Sequence, residues 1–444
     1  MTVTPSPLLV RALVLLAALG ALPAVLHLGG VAWGGAVVAF AVAAMALAAA
    51  AAIDVALAPR ARRVEARADV PSTLALGVPG RMVVRLAPLR SALRVEAVAD
   101  LDPDLEPVDP VVTDVAAGTA GNVEVPLVPR RRGTPSVRAV HLRWAGPLGL
   151  VRRTRTFVVD RPVAVVPDLA PVRAAAVRFA FDREFLAGAR RTRRVGDGSE
   201  FEALREHVAG LDPRAIDWKA SARHLHLVSR ETRAERDRPV VLAIDLGRTM
   251  SETVDGKPRV DHAIQASLLL GYAALRSGDR VGLFSFDARP RTWLPPVSGP
   301  GAHARLLAAT AGLGYSNDET NYTHAVADLS ARLKRRTLVV VLTDFADSTT
   351  AELMLDALGH LARRHLVLFV ALRDPALLAL ADAPPRTLRA LHRAVVAADL
   401  LRDREVVLRR LRRAGAHVVD EVPARVTTAA LDRYLHIHRR ELVG

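Results

Sequence analysis

The chain has 444 residues, a length that predicts two or three domains rather than one. A hydrophobic share of 51% excludes a disordered protein, and the lack of cysteine excludes disulfides, thiolate nucleophiles, iron–sulfur clusters and sulfur-ligated zinc. The net charge of +15 is typical of proteins with anionic partners, but only 4% of the residues are aromatic. Because this is too few for a base-stacking surface, we expect no nucleic-acid partner.

Two apolar runs lie near the N-terminus, at residues 8–26 and 31–53, and each is long enough to cross a bilayer as a helix. The short turn between them predicts a transmembrane hairpin over residues 1–60, with both ends on one side. A cleaved signal peptide is the alternative, but the second run would act as a stop-transfer element. Arginines follow the second run and the turn has no cation, so we expect an inner (plasma) membrane protein with its bulk in the cytoplasm.

The rest of the chain changes pattern twice. Residues 64–167 alternate apolar and polar positions in short stretches bounded by Pro, Gly and Asp, which predicts an all-β, sandwich-like domain. A polar, arginine-rich connector occupies residues 168–237. Over residues 238–444 strands alternate with helices, which predicts a doubly wound parallel α/β sheet followed by C-terminal helices. Residues 387–413 form one or two basic amphipathic helices in this prediction, either solvated or lying on anionic lipid.

Two aspartates end predicted strands of that sheet, at the edge where such folds bind ligands. Asp245 and Asp344 flank a Thr-bearing loop, and carboxylate and hydroxyl oxygens suit Mg²⁺. The pattern resembles the metal-ion-dependent adhesion site of the von Willebrand factor A domain, Asp-x-Ser-x-Ser followed by a Thr and an Asp on separate loops. The resemblance implies four Mg²⁺ ligands: Asp245, Thr249, Thr320 and Asp344. Gly247 replaces the first Ser of the pattern, which weakens the predicted metal site.

A charged and aromatic segment precedes the sheet, at residues 196–237. It resembles the signature of the bacterial family known as domain of unknown function 58, and further matches run from about residue 128 to about residue 440. The resemblance implies a packing and salt-bridge group beside the metal edge, formed by Arg205, Asp217, Trp218 and Arg223. The remaining family-motif or structural residues are Gly196, Gly198, Glu200, Phe201, Asp212, Arg214 and Glu235.

Members of that family typically combine two transmembrane helices, a β-rich region and a von Willebrand A-like domain, and are encoded beside MoxR-type AAA+ ATPases. The resemblance implies a membrane-anchored, cytoplasm-facing adaptor, not an enzyme, that works with such an ATPase in protein assembly or remodelling. Two alternatives stay open. One is a metal-free scaffold with a degenerate site, which Gly247 suggests. The other is a metal-dependent phosphohydrolase or ATPase, although no general base stands at a suitable spacing.

Overall fold

The computed structural model describes residues 2–28, 34–60, 64–88, 92–106, 109–181, 195–207, 216–224, 226–233, 238–345 and 348–443. The chain divides into two compact units, an N-terminal unit of residues 1–166 and a C-terminal unit of residues 167–444.

The N-terminal unit begins with β1 (Thr2–Pro5) and two apolar helices, α1 (Pro7–Leu28) and α2 (Gly34–Leu57). The predicted turn covers residues 27–30, but α1 continues through His27 and Leu28, and residues 29–33 lie outside the described residues. Within the described part of the chain, one helix, Val38–Leu57, is long and apolar enough to cross a membrane, while Pro7–Ala21 is apolar but shorter. Only 6% of the long helix is buried. The length, apolar composition and exposure of this helix are weak evidence of membrane association.

Ten more strands complete the N-terminal unit. They are β2 (Ala66–Asp69), β3 (Thr73–Ala75), β4 (Gly80–Leu86), β5 (Leu93–Leu101), β6 (Leu105–Glu106), β7 (Val111–Val115), β8 (Gly121–Pro129), β9 (Ser136–Ala145), β10 (Val151–Pro162) and β11 (Ala164–Val166). A five-stranded sheet has the order β1-β10-β9-β5-β7, a four-stranded sheet the order β2-β4-β8-β6, and β3 pairs with β11. Alternate residues of β4, β5 and β8 are buried in one shared core, as period-two patterning requires.

The outer ends of both N-terminal helices are tied to these sheets. Strand β1, just before α1, pairs with β10. Near the end of α2, the fully buried Asp54 carboxylate accepts hydrogen bonds from the backbone N–H groups of Leu148 (2.7 Å), Leu150 (2.8 Å) and Val151 (2.8 Å). A Cβ atom on Gly146 would lie 2.3 Å from an Asp54 oxygen, so the close approach of this loop requires glycine.

The C-terminal unit alternates helices and strands. Its elements are α3 (Ala170–Phe181), β12 (Val195–Glu206), α4 (Trp218–His224), β13 (Val228–Arg233), β14 (Pro239–Asp245), α5 (Arg248–Ser251), β15 (Thr253–Val254), β16 (Lys257–Pro258), α6 (Arg259–Arg276), β17 (Arg280–Phe286), β18 (Pro290–Val297), α7 (Ala302–Ala311), α8 (Tyr322–Arg332), β19 (Leu338–Leu342), α9 (Ser348–Ala362), β20 (Leu366–Leu372), α10 (Pro375–Asp382), α11 (Leu388–Arg413), β21 (His417–Glu421) and α12 (Pro423–Val443).

A six-stranded sheet forms the centre of this unit, with the order β18-β17-β14-β19-β20-β21. Strands β14, β19 and β20 are almost continuously apolar because both faces of the sheet are covered. One core packs α6, α7 and α12 on one face, and a second packs α8, α9 and α11 on the other. The fold is therefore mixed α/β.

The predicted all-parallel sheet needs one correction. Strand β18 pairs antiparallel with β17 at the sheet edge, whereas the other neighbouring strands pair in parallel. Three prolines, Pro290, Pro295 and Pro296, lie in β18. Proline donates no backbone hydrogen bond, so this sequence suits an edge strand and conceals the strand pattern.

Candidate functional site at the carboxyl edge of the sheet

Parallel pairing brings the two predicted aspartates to the same edge. Strands β14 and β19 pair Ile244 with Leu342, so Asp245 and Asp344 follow at adjacent strand ends. Their side chains are 0% and 2% exposed. Burial of an ionised carboxylate is costly unless hydrogen bonds or counter-charges compensate it, so the groups around each one define what this edge can do.

Uncharged donors surround Asp245. Its Oδ1 atom accepts hydrogen bonds from the Thr320 hydroxyl (2.8 Å) and the Gly247 N–H (2.8 Å). Its Oδ2 atom accepts one from the Thr343 hydroxyl (2.5 Å), and the Tyr322 hydroxyl lies 3.4 Å away. Burial raises the pKa of Asp245 to about 6, although these hydrogen bonds oppose the shift. The Asp245 carboxyl is therefore a buried, hydrogen-bonded group that solvent does not reach.

Two arginines surround Asp344 instead. Arg259, the first residue of α6, donates to its Oδ2 atom, and Arg404, from α11, donates to its Oδ1 atom (2.6 Å). The Phe345 N–H adds a third hydrogen bond (3.0 Å). The two arginine side chains are only 11% and 13% exposed, so solvent screens these pairs weakly. Arg404 also donates to Asp420 in β21 (2.8 Å).

This ion-pair cluster, defined by Asp344, Arg259, Arg404, Asp420 and Arg373, crosses the ends of β19, β20 and β21. Arg373, which follows β20, donates to Asp420 (2.8 Å). Burial alone would lower the pKa of Arg404, but Asp344 and Asp420 outweigh it and raise the pKa. Arg404 therefore stays charged across the physiological pH range.

The glycine that departs from the adhesion-site pattern has a steric reason. A Cβ atom on Gly247 would lie 2.1 Å from the Thr320 hydroxyl oxygen and 3.1 Å from Oδ1 of Asp245. A serine at this position would therefore displace the hydroxyl that hydrogen-bonds Asp245. Thr320 fills the space that the missing side chain would take.

The four predicted ligands are only partly brought together. Asp245 and Thr320 are hydrogen-bonded, and the Tyr322 hydroxyl, 3.1 Å from the backbone oxygen of Asp344, links them to the second aspartate. Thr249 lies on α5, partly buried, and among the described residues its hydroxyl does not join this network.

The residues as arranged do not fit a Mg²⁺ ion. Both Asp344 oxygens face guanidinium groups, and a divalent cation there would lie beside two fixed positive charges. The Asp245 oxygens already accept hydrogen bonds, and Gly247 brings no hydroxyl. Across the described ranges, no group of three or more His, Asp or Glu side chains could hold a metal. We therefore assign no chemistry at this edge to a metal.

Ion pairs also form the exposed rim of the edge. Arg248 pairs with Glu319 (2.9 Å), and both side chains are more than half exposed. Arg291 pairs with Asp287 (2.7 Å) and Asp318 (3.3 Å). Burial would raise the pKa of Asp287, but the hydrogen bonds from Arg291, the Arg289 N–H and Ser316, together with the charge of Arg291, outweigh it and lower the pKa. The surface beside the buried aspartates is thus polar and charged of both signs.

The arginines were missed by the sequence analysis. Arg259 follows Pro258 at the start of a helix. In a parallel sheet, the helix after a strand begins near the carboxyl edge, so this position in the sequence could have indicated Arg259. Arg404 lies among many arginines of α11, and only the packing of that helix against the sheet singles it out.

The family segment is arranged around a β-hairpin, in which β12 pairs antiparallel with β13. Asp217 accepts hydrogen bonds from the N–H groups of Lys219 and Ala220 (both 3.0 Å) and so begins α4. The side chain of Trp218, which was expected to pack, is 69% exposed. The buried contact is made instead by Ser221, whose hydroxyl accepts from the Val228 N–H (2.9 Å).

The other family residues fall in three places. Arg223 is exposed on α4. Strand β12 contains Gly196, Gly198, Glu200, Phe201 and Arg205. Outside the described residues lie Asp212, Arg214 and Glu235.

Fold and site together define a two-unit protein in which a mainly parallel α/β sheet carries a charged, ion-paired loop edge. Residues 203–396 match the family model described as "Protein of unknown function DUF58". This match confirms the family resemblance seen in the sequence over residues 203–396, and the description of the family assigns no function.

Individual relatives are distant. An uncharacterized protein of Mycobacterium tuberculosis is 25% identical over 182 residues, which cover 40% of this chain and 56% of the relative. Protein NorD of Brucella abortus is 28% identical over 214 residues, which cover 41% of this chain and 32% of NorD. The chain thus matches about half or less of the length of these relatives. A solved structure of the conserved hypothetical protein BatB from Bacteroides thetaiotaomicron has a TM-score of 0.30 and 15% identity, covering 46% of this chain and 98% of that one, which is too weak to define the fold.

Proposed function

We propose that the chain is a membrane-anchored adaptor that binds other proteins at the carboxyl edge of its α/β sheet without a metal ion. The observation that carries this proposal is the bridging of Asp344 by Arg259 and Arg404. Guanidinium groups from the chain itself supply the positive charge that a cation supplies in a metal-ion-dependent adhesion site. The metal-free scaffold alternative is therefore favoured over the metal-dependent one.

The sheet supports a von Willebrand A-like arrangement. Its order of β18-β17-β14-β19-β20-β21, with an antiparallel edge strand and helices on both faces, places the loops after β14 and β19 side by side with the loop before α8. Binding edges in open α/β sheets form where such loops converge. We propose that the ion-paired rim around Arg248 and Glu319 is the recognition surface.

The N-terminal unit supports the membrane anchor. Strand β1 before α1 and Asp54 near the end of α2 both attach to the same sheets, so a pair of spanning helices would enter and leave on one side. The arginines after α2 favour the cytoplasm as that side. We propose a two-helix hairpin in the plasma membrane, with the sheets in the cytoplasm.

An enzymatic role has less support. Asp245 and Asp344 are buried and fully engaged by hydrogen bonds and ion pairs, so neither reaches a substrate as a base. We therefore propose no catalysis at this edge, and a MoxR-type AAA+ ATPase or its client as the protein that binds there.

A photo-crosslinking amino acid at Glu319 tests this proposal in the full chain, in membranes that also contain the MoxR-type ATPase of the same organism. Glu319 is 77% exposed on the rim, and the exposed Ala304 on α7, across the sheet, is the matched control position. We expect an adduct with the ATPase or its client at Glu319, equally strong with EDTA present, and none at Ala304. An adduct that requires Mg²⁺, or no adduct at Glu319, would overturn the proposal.

A further inference from the structure

Helix α11 extends well past the core that holds it. Its 26 residues make it about 39 Å long. Only Val407, Leu408 and Leu411, in its second half, belong to the hydrophobic core on that face of the sheet. In the first half, Ala397 is the one buried residue.

The first half is nevertheless rich in large aliphatic side chains that face solvent. Their exposed fractions are 69% for Leu388, 43% for Leu391, 51% for Val395, 58% for Val396 and 45% for Leu400. Leu388, Leu391 and Val395 follow the i, i+3, i+7 spacing of one helix face. We call these three residues the apolar face of α11, whereas Val396 and Leu400 lie on the side of the helix that carries Arg389 and Arg393. Helix α10, which has no buried residue, packs beside it and leaves this face open.

Arginines lie on the side of the helix opposite the apolar face, over the same stretch of chain. Residues 386–402 contain four arginines and one acidic residue, Asp399, which pairs with Arg402 (2.9 Å). Arg386, Arg389 and Arg393 are exposed. Exposed aliphatic residues together with an excess of arginine are typical of helices that lie in the interface of a bilayer with anionic lipids.

We propose that the apolar face of α11 docks on an anionic lipid surface, with Arg386, Arg389 and Arg393 contacting the headgroups. The inference rests on the membrane anchor in the proposed function, which keeps the chain beside a bilayer. An acidic partner protein fits the same arginines, but long, regularly spaced aliphatic side chains without aromatic anchors favour lipid. Docking gives the C-terminal unit a second membrane contact, independent of α2.

The chain has no cysteine, so a single label site can be placed on α11. Val395→Cys carrying a polarity-sensitive fluorophore is reconstituted as the full chain in nanodiscs of phosphatidylcholine alone or mixed with phosphatidylglycerol. Ala304→Cys, exposed on α7 across the sheet, is the matched control. We expect a blue shift and protection from an aqueous quencher at position 395 only in anionic nanodiscs, and no change at position 304.

Charge variants sharpen the test. Changing Arg386, Arg389 and Arg393 to Gln should lower the ratio of docked to undocked label about a hundredfold, at about fivefold per arginine, whereas changing all three to Lys should preserve docking. Identical spectra in both lipids would overturn the proposal. So would a blue shift that follows protein concentration, which indicates a second copy, or one that requires added ATPase, which indicates a protein partner. Co-elution of the chain with the nanodisc tests the anchor separately.

Discussion

Asp245 and Asp344 end neighbouring strands and are equally buried, yet the chain compensates them in opposite ways. Hydroxyl and amide donors surround the first, whereas two guanidinium groups form ion pairs with the second. Burial raises the pKa of the Asp245 carboxyl to about 6, although the hydrogen bonds from these donors oppose the shift. The comparison teaches that one sheet edge can keep the sequence pattern of an adhesion site while its charges are balanced within the chain.

Removing the guanidinium groups should have the largest effect. Arg259→Gln combined with Arg404→Met leaves Asp344 buried without a counter-charge, which should lower the free energy of unfolding by about 3–5 kcal/mol. Faster hydrogen exchange of β19 and β20 in the full chain measures this change. The exposed Arg402→Gln on the same helix is the control and should change nothing measurable. Equal protection in the double variant and the control would show that the pairs do not matter.

The burial of Asp245 predicts that the free energy of unfolding depends on pH. Its folded-state pKa of about 6 exceeds the ordinary 3.8, so between these values the folded chain holds a proton that the unfolded chain has lost. The stabilisation that comes from this proton is complete below pH 3.8. The free energy of unfolding then falls by about 3 kcal/mol as the pH rises to about 6. Asp245→Asn cannot lose this proton. Denaturant unfolding should therefore show that the stability of the variant increases relative to that of the wild type as the pH rises over this range. If the stability of the two proteins changed with pH in parallel, the raised pKa of Asp245 would be contradicted.

A side chain at Gly247 should disturb the Asp245 region alone. Gly247→Ser would place Cβ 2.1 Å from the Thr320 hydroxyl, and such overpacking should cost about 1–3 kcal/mol. Thr320→Ala frees that space, so the double variant should be less destabilised than the sum of the single ones. Strict additivity in thermal unfolding would show that the two residues do not compete for space.

The smallest effect concerns Asp54 in the N-terminal unit, a third buried carboxylate, which accepts from backbone N–H groups. Asp54→Asn places an amide NH₂ against these donors and should cost about 1–2 kcal/mol. Hydrogen exchange at residues 146–151 should accelerate, whereas β14 should not change. If hydrogen exchange in this loop did not change, the hydrogen bonds of Asp54 would not be what attaches α2 to the loop.

Much of the C-terminal unit could be predicted because buried parallel strands have long apolar runs. The strands Arg280–Phe286 and Leu366–Leu372 and the helix Ala302–Ala311 end where the sequence pattern ends. Strand β18 could not be predicted, because its prolines resemble a loop. The convergence of Asp245 and Asp344 followed from parallel pairing alone.

The compensation of these aspartates could not be predicted. Arg404 lies 60 residues after Asp344 in a helix with many arginines, and the reach of that helix across the sheet depends on tertiary packing. Exposure of Trp218 likewise follows from how a short helix packs, because an aromatic residue in a charged segment fits either a core or a surface. The steric reason for Gly247 required the position of Thr320.

The most direct test of a metal-free edge is calorimetric titration of Mg²⁺ and Mn²⁺ into the full chain in detergent, beside its Asp245→Ala variant. Because Arg259 and Arg404 already neutralise Asp344, we predict no saturable heat in either protein. Saturable, stoichiometric binding to the wild type that Asp245→Ala abolishes would contradict the account and restore a metal-ion-dependent site.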